Sequence, residues 1–126
     1  MASELRVDTL KDSSGNNSVG MAYVAGGSAK AWANINGSGT VVFRDSLNCT
    51  SLTDHSAGIF TTSFTNSMNN ADYSTTATSS LNNAYSGDMI VMIHATGTVK
   101  TKTYYGSGYA GTDVAINCHS NFGDLA

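Results

Sequence analysis

Apolar and polar residues alternate with a period of two along most of this 126-residue chain. That is the period of a strand with one buried face. Leu5 and Val7 point one way while Glu4, Arg6 and Asp8 point the other, which predicts a short strand over residues 4–10. Residues 12–17 (DSSGNN) are dense turn chemistry, and residues 19–27 are small and apolar, with Tyr23 as the one bulky side chain. From Ala29 the pattern tightens. The run AKAWANINGSGT (29–40) reads as a strand carrying one large aromatic, Trp32, into an Asn-Gly turn at Asn36 and Gly37, followed by Ser38 and Gly39. Asn and Gly accept the positive φ angles of tight turns. A β-branched strand follows over 40–44, and residues 47–54 and 59–65 predict a hairpin whose second arm sets Phe60, Thr62 and Phe64 on one face. Residues 71–80 open with Tyr73 and are rich in Thr. The near-continuous apolar run 89–95 predicts a central strand covered on both faces. Residues 99–105 alternate Lys100 and Lys102 against Thr101 and Thr103, and Val114, Ile116 and Cys118 are expected to share one face of a last strand. Helical periodicity is weak; the one candidate, 65–72, is polar and Asn-rich.

Strands recurring about every ten residues with turn signals between them mark a sandwich or barrel. The expected fold is therefore all-β, an antiparallel β-sandwich over residues 29–126, preceded by an extended N-terminal arm over 1–28 that serves attachment or oligomerisation. Leu5, Val7, Leu10 and Val19 are the apolar positions of that arm. The alternative for Leu5 and Val7 is an edge strand of the main sheet. Trp32, Ile35, Phe43, Phe60 and Phe64 are expected to be core or intersubunit anchors.

Composition sharpens this picture. Charged residues are 12% of the chain, about half the usual share, while Ser, Thr and Asn supply roughly a third. Net charge is −3 and 40% of residues are hydrophobic, which argues against disorder. Polar faces with so little charge repel other sheets poorly, a hint of assembly with copies or partners. Lys30, Arg44, Lys100 and Lys102 are scattered, so no nucleic-acid partner is expected. No apolar run approaches membrane-spanning length, so no membrane partner is expected either. No apolar core follows Met1, so a secretory signal is not expected. Cys49 and Cys118 are accordingly expected to be free thiols.

Candidate chemistry is sparse. Gly106–Gly111 (GSGYAG) matches GxGxxG, yet the following residues are strand-like, and without a helix N-terminus a pyrophosphate has no dipole to rest on. His55, His94 and His119 do not converge in sequence; Cys118 and His119 are adjacent on a strand and face opposite sides. No metal or other cofactor is expected. No nucleophile elbow occurs and Glu4 is the only glutamate, so the chain reads as non-enzymatic. What remains is a recognition surface. Tyr104, Tyr105 and Tyr109 cluster around Gly106, Gly108 and Gly111. Tyrosine in a Gly/Ser setting gives large contact area at low entropy cost, and its ring suits stacking on sugars. The competing reading has these tyrosines filling the core.

The run 29–40 resembles AKAWVNFNGTGT, found in small virion proteins of tailed bacteriophages; it departs at Ala33, Ile35 and Ser38. The segment 4–17 (ELRVDTLKDSSGNN) is similar to the opening of many such proteins. The segment 44–54 (RDSLNCTSLTD) is similar to RDSFNVSSITD, with Leu47 and Cys49 as departures. Phe60, Phe64, Ala71, Asp72 and Tyr73 match the family's aromatic strand and turn, and the C-terminal third matches only in pattern. The resemblance implies a lectin-like or jelly-roll-like sandwich. It also implies a homotrimeric, tail-fibre-like virion structural protein, attached to other virion proteins through its arm and taking part in host attachment. The receptor would be a host-surface glycan or protein, met by the tyrosine loop. The alternative is capsid decoration (a head fibre or cement protein) with no receptor.

Overall fold

A computed structural model describes residues 3–81, 85–105 and 108–126. The N-terminal segment forms β1 (Thr9–Lys11), β2 (Ser18–Gly20) and the two-turn helix α1 (Met21–Gly27). Eight strands follow: β3 (Ala31–Asn36), β4 (Val42–Leu47), β5 (Cys49–Ser56), β6 (Ile59–Phe64), β7 (Ser74–Leu81), β8 (Tyr85–Ala95), β9 (Thr98–Tyr104) and β10 (Ile116–Phe122). They pair antiparallel in the order β4-β3-β10-β7-β8-β9-β6-β5. The long β8 turns a corner, pairing with β7 at its start and with β9 from Asp88 onward. Two four-stranded layers result, β4-β3-β10-β7 and β8-β9-β6-β5, packed face to face as an all-β sandwich.

The second corner, from β4 to β5, is a single residue. Asn48 has φ 55°, a left-handed conformation that Asn tolerates better than most side chains. Its Oδ1 accepts from the Asn66 amide (2.7 Å) and its Nδ2 donates to the Asn66 carbonyl (2.9 Å), tying the corner to the chain leaving β6. Register shifts interrupt both edge strands, β4 and β5, which blunts the edges against pairing with other sheets.

The period-two pattern places the core. Ala31, Ala33 and Ile35 of β3 face inward, as do Phe60, Thr62 and Phe64 of β6 and Val99, Thr101 and Thr103 of β9. Apolar groups gather at the two ends. At one end Ala31, Phe64, Met68, Tyr73 and Val99 cluster, and the Tyr73 hydroxyl donates to the Thr98 carbonyl (2.7 Å). At the other, Phe60 and Val114 close around Gly37, whose amide donates to the Val114 carbonyl (3.0 Å).

Between the ends lies a polar layer, and here Ile116 and Cys118 share one face of β10 as expected, but it is the polar face that turns inward. Asn117, His119 and Asn121 face inward, while Ile116, Cys118 and Phe122 lie half-buried on the outer side. The cross-strand neighbours of His119 are Ala33 and Ala77, and these two small residues leave room for an imidazole. Asn121 Nδ2 donates to the Ala31 carbonyl (3.2 Å) and to His119 Nδ1 (3.0 Å). Since Nδ1 accepts, the proton of the neutral ring is on Nε2, which donates to Thr62 Oγ1 of the facing sheet (3.0 Å). The Thr75 hydroxyl donates to Asn121 Oδ1 (2.7 Å), so His94 Nε2 donates to Thr75 Oγ1 (2.9 Å). Two histidines thus bridge the layers through one chain of hydrogen bonds.

Four expectations are corrected. A helix forms at 21–27, where none was expected, while the doubtful candidate 65–72 contains none, as its polarity indicated. The positive φ of the β3–β4 turn falls on Gly39 (71°), not on Asn36 or Gly37. Gly37 is needed for space instead, because a Cβ there would come within 2.5 Å of Asn117 Nδ2 and 2.9 Å of the Val114 carbonyl. Strand β8 is covered on one face only, and Ile90, Met92 and Ile93 remain exposed, because two layers leave nothing to cover an outer face. Leu5 and Val7 lie outside any strand, and β1 and β2 form a sheet of their own rather than an edge of the main one.

Candidate functional site

The tyrosine cluster lies where β9 runs out of the sandwich. Strand alternation turns Thr101 and Thr103 inward and Lys100, Lys102 and Tyr104 outward. Thr103 anchors the departing chain: its amide donates to the Gly58 carbonyl (2.8 Å) and its hydroxyl to the Thr112 carbonyl (2.7 Å). The Thr112 amide donates back to the Thr103 carbonyl (3.0 Å), and the Gly58 amide donates to Asp113 Oδ1 (2.7 Å). Gly58 has φ 69° and Gly111 passes so close to the Ala57 carbonyl that no Cβ would fit. Both ends of the loop are therefore fixed to the β5–β6 turn.

On this base the rings of Tyr104 and Tyr109 meet at 5.1 Å between centroids, inclined by 50°. Tyr109 is held at φ 51° and is 64% exposed; Tyr105 beside it is 51% exposed. The tyrosines therefore do not fill the core. Asp88 of β8 pairs directly across from Tyr104. Desolvation, with help from the Asp88 carboxylate and Tyr109, holds the Tyr104 phenol above its usual range. The arrangement offers two tilted aromatic faces, phenol hydroxyls and a carboxylate acceptor. That set can stack on the apolar face of a sugar or side chain and bond its hydroxyls. Gly108 stands clear of other groups. Gly106, also expected at this site, lies outside the described residues, as does Ser107.

The remaining expected residues are spread over the molecule. Ile35, Phe60 and Phe64 are buried in the core. Phe43 pairs across from Ile35 on the edge strand and is half-buried. Trp32 is not in the core. It lies half-buried on the outer face of β3, across from Leu47 and Ser120; the inward phase of β3 is taken by its alanines, which leave space for His119 and Asn121. Leu10 and Val19 face each other across β1 and β2, and with Leu5 and Val7 they stay exposed.

Among the described residues no three His, Cys, Asp or Glu side chains are placed to hold a metal ion. Both cysteines are unpaired; burial pushes the Cys49 thiol up to about 11. No helix among the described residues is long and apolar enough to cross a membrane. The sequence reading missed the Thr62, Thr75, His94, His119, Asn121 chain. Its signal was the alternation Asn117, His119, Asn121, which polarity alone assigns to the wrong face. Compared with known proteins, the chain matches no family model, no curated sequence and no solved structure.

Proposed function

We propose that this chain is a structural component of a tailed-bacteriophage virion: a short, tail-fibre-like appendage module. It assembles as a homotrimer, joins other virion proteins through its N-terminal arm and meets the host surface with the tyrosine loop. The role is structural and adhesive, not catalytic. The observation that carries this reading is the placement of the two surfaces. The arm enters the sandwich at Lys30, whose amide donates to the Asn121 carbonyl (2.8 Å), beside the Ala31–Phe64–Tyr73 end. The tyrosine loop leaves from the opposite end, where Val114 meets Gly37. Strand β3 spans the two and its six residues measure about 20 Å. One end is thus free to attach and the other free to recognise, which suits an appendage better than a flat coat. The resemblance of residues 4–75 to phage virion proteins supports the same reading.

Immunogold labelling of intact particles that carry the chain tests it. Label at the tail in at most a few dozen copies is expected. Hundreds of copies over the capsid would replace the appendage with capsid decoration, and absence from particles would overturn the virion reading. Tyr109→Gly keeps the left-handed backbone and removes the ring. Particles carrying it are expected to assemble normally and to adsorb to host cells at least tenfold more slowly; unchanged adsorption would remove the loop from recognition.

A further inference from the structure

We infer that the N-terminal arm is a self-association element, packing against the arm and the Trp32 face of a second copy of this chain. The inference rests on the assembly reading above and names the surface that would carry it.

The arm cannot account for its own order. No residue from 3 to 28 is buried. Strands β1 and β2 have three residues each and α1 has seven. A lone two-stranded hairpin is marginal in water, and so is a helix shorter than about 12 residues. Yet the arm carries Leu5 and Tyr23, each 79% exposed, together with Val7, Leu10 and Val19. The area is large enough to matter. The chain exposes 7595 Å², where a compact monomer of 13.1 kDa exposes roughly 6,400 Å². That excess of about 1,200 Å² is summed over the whole chain, and it is of the same order as the roughly 800 Å² that one partner contributes to a standard interface.

A second copy fits this surface better than a highly charged partner. Glu4, Asp8 and Asp12 are nearly balanced by Arg6 and Lys11, and Glu4 already pairs with Arg6 (2.9 Å); like arms do not repel. The hairpin offers an open hollow of about 310 Å³ lined by Leu10, Lys11, Asn17 and Val19, while Leu5 and Tyr23 project. Concavity and projections belong to the same arm, so copies supply both halves of a contact. At the arm's root, Trp32 and the exposed Leu47 extend the apolar surface onto the sandwich.

Light scattering on the full-length chain and on Leu10→Asp/Val19→Asp tests this, with circular dichroism to follow the sandwich. Hydrogen exchange of the wild type at two concentrations needs no variant. The expected result is a wild-type mass that is a multiple of 13.1 kDa. The double variant is expected at the single-chain mass with an unchanged melt, and amide protection over residues 5–24 is expected to rise with concentration. A wild type that oligomerises with concentration-independent exchange in the arm, or a double variant that stays oligomeric, would overturn the arm's role and leave assembly standing. A single-chain wild type would overturn both.

Discussion

Lowering the pH should loosen the sandwich through one side chain. His119 is buried (2% exposed) and its Nδ1 is committed as an acceptor from Asn121. Protonation would place an N–H against the Asn121 amide donor, in surroundings where no Asp or Glu is buried among the described residues. Desolvation lowers the ring from its ordinary 6.5 to about 4. The unfolded chain therefore takes up a proton between pH 6.5 and 4 that the folded chain refuses. Stability from this group is complete above about pH 6.5, falls as the pH drops through that window, and levels off below 4. At about 1.4 kcal/mol per unit, the loss is about 3 kcal/mol. The assay is urea unfolding followed by circular dichroism at half-unit steps from pH 7.5 to 3.5, on the wild type and on His119→Gln. Gln retains a donor toward Thr62 and does not titrate. It should cost about 1 kcal/mol at pH 7 through the lost bond to Asn121, and it should remove most of the wild-type slope between pH 6.5 and 4. Equal slopes in the two proteins would refute the reasoning, as would a resonance assigned to the His119 imidazole that titrates near 6.5.

Other consequences follow from single contacts. Gly37→Ala should destabilise by about 2–3 kcal/mol, read as a fall in the urea midpoint, because its Cβ would overlap Asn117 and the Val114 carbonyl. Phe60→Ala, at a fully buried position, should cost about 3–5 kcal/mol by the same measurement. Tyr73→Phe deletes the hydroxyl bond to Thr98 and should cost about 1 kcal/mol with the fold unchanged by circular dichroism. Cys49, with its thiol raised to about 11, should react with iodoacetamide at pH 8 about two orders of magnitude more slowly than an ordinary free cysteine.

Local rules, applied to the sequence alone, determined the sandwich. A side-chain period of two needs nothing beyond a strand and one buried face, so β3, β6 and β9 and the buried Phe60, Thr62 and Phe64 could be read from alternation. The turn residues around 54–58 likewise placed the β5–β6 hairpin. Composition left the tyrosine cluster open between a surface loop and the core, and the exposure of Tyr105 and Tyr109 decided against the core. Only the tertiary structure decided which phase of a strand faces in when both are plausible. In β10 the apolar set Ile116, Cys118 and Phe122 yielded the interior to Asn117, His119 and Asn121. That choice depends on Ala33 and Ala77 leaving space and on Thr62, Thr75 and Ala31 supplying partners from three other strands. The same long-range fit moved Trp32 outward and required Gly37 for room rather than for its φ. Hydrophobicity is a property of one residue, but burial of a polar group is decided by the partners that meet it, and those lie up to 90 positions away in the chain.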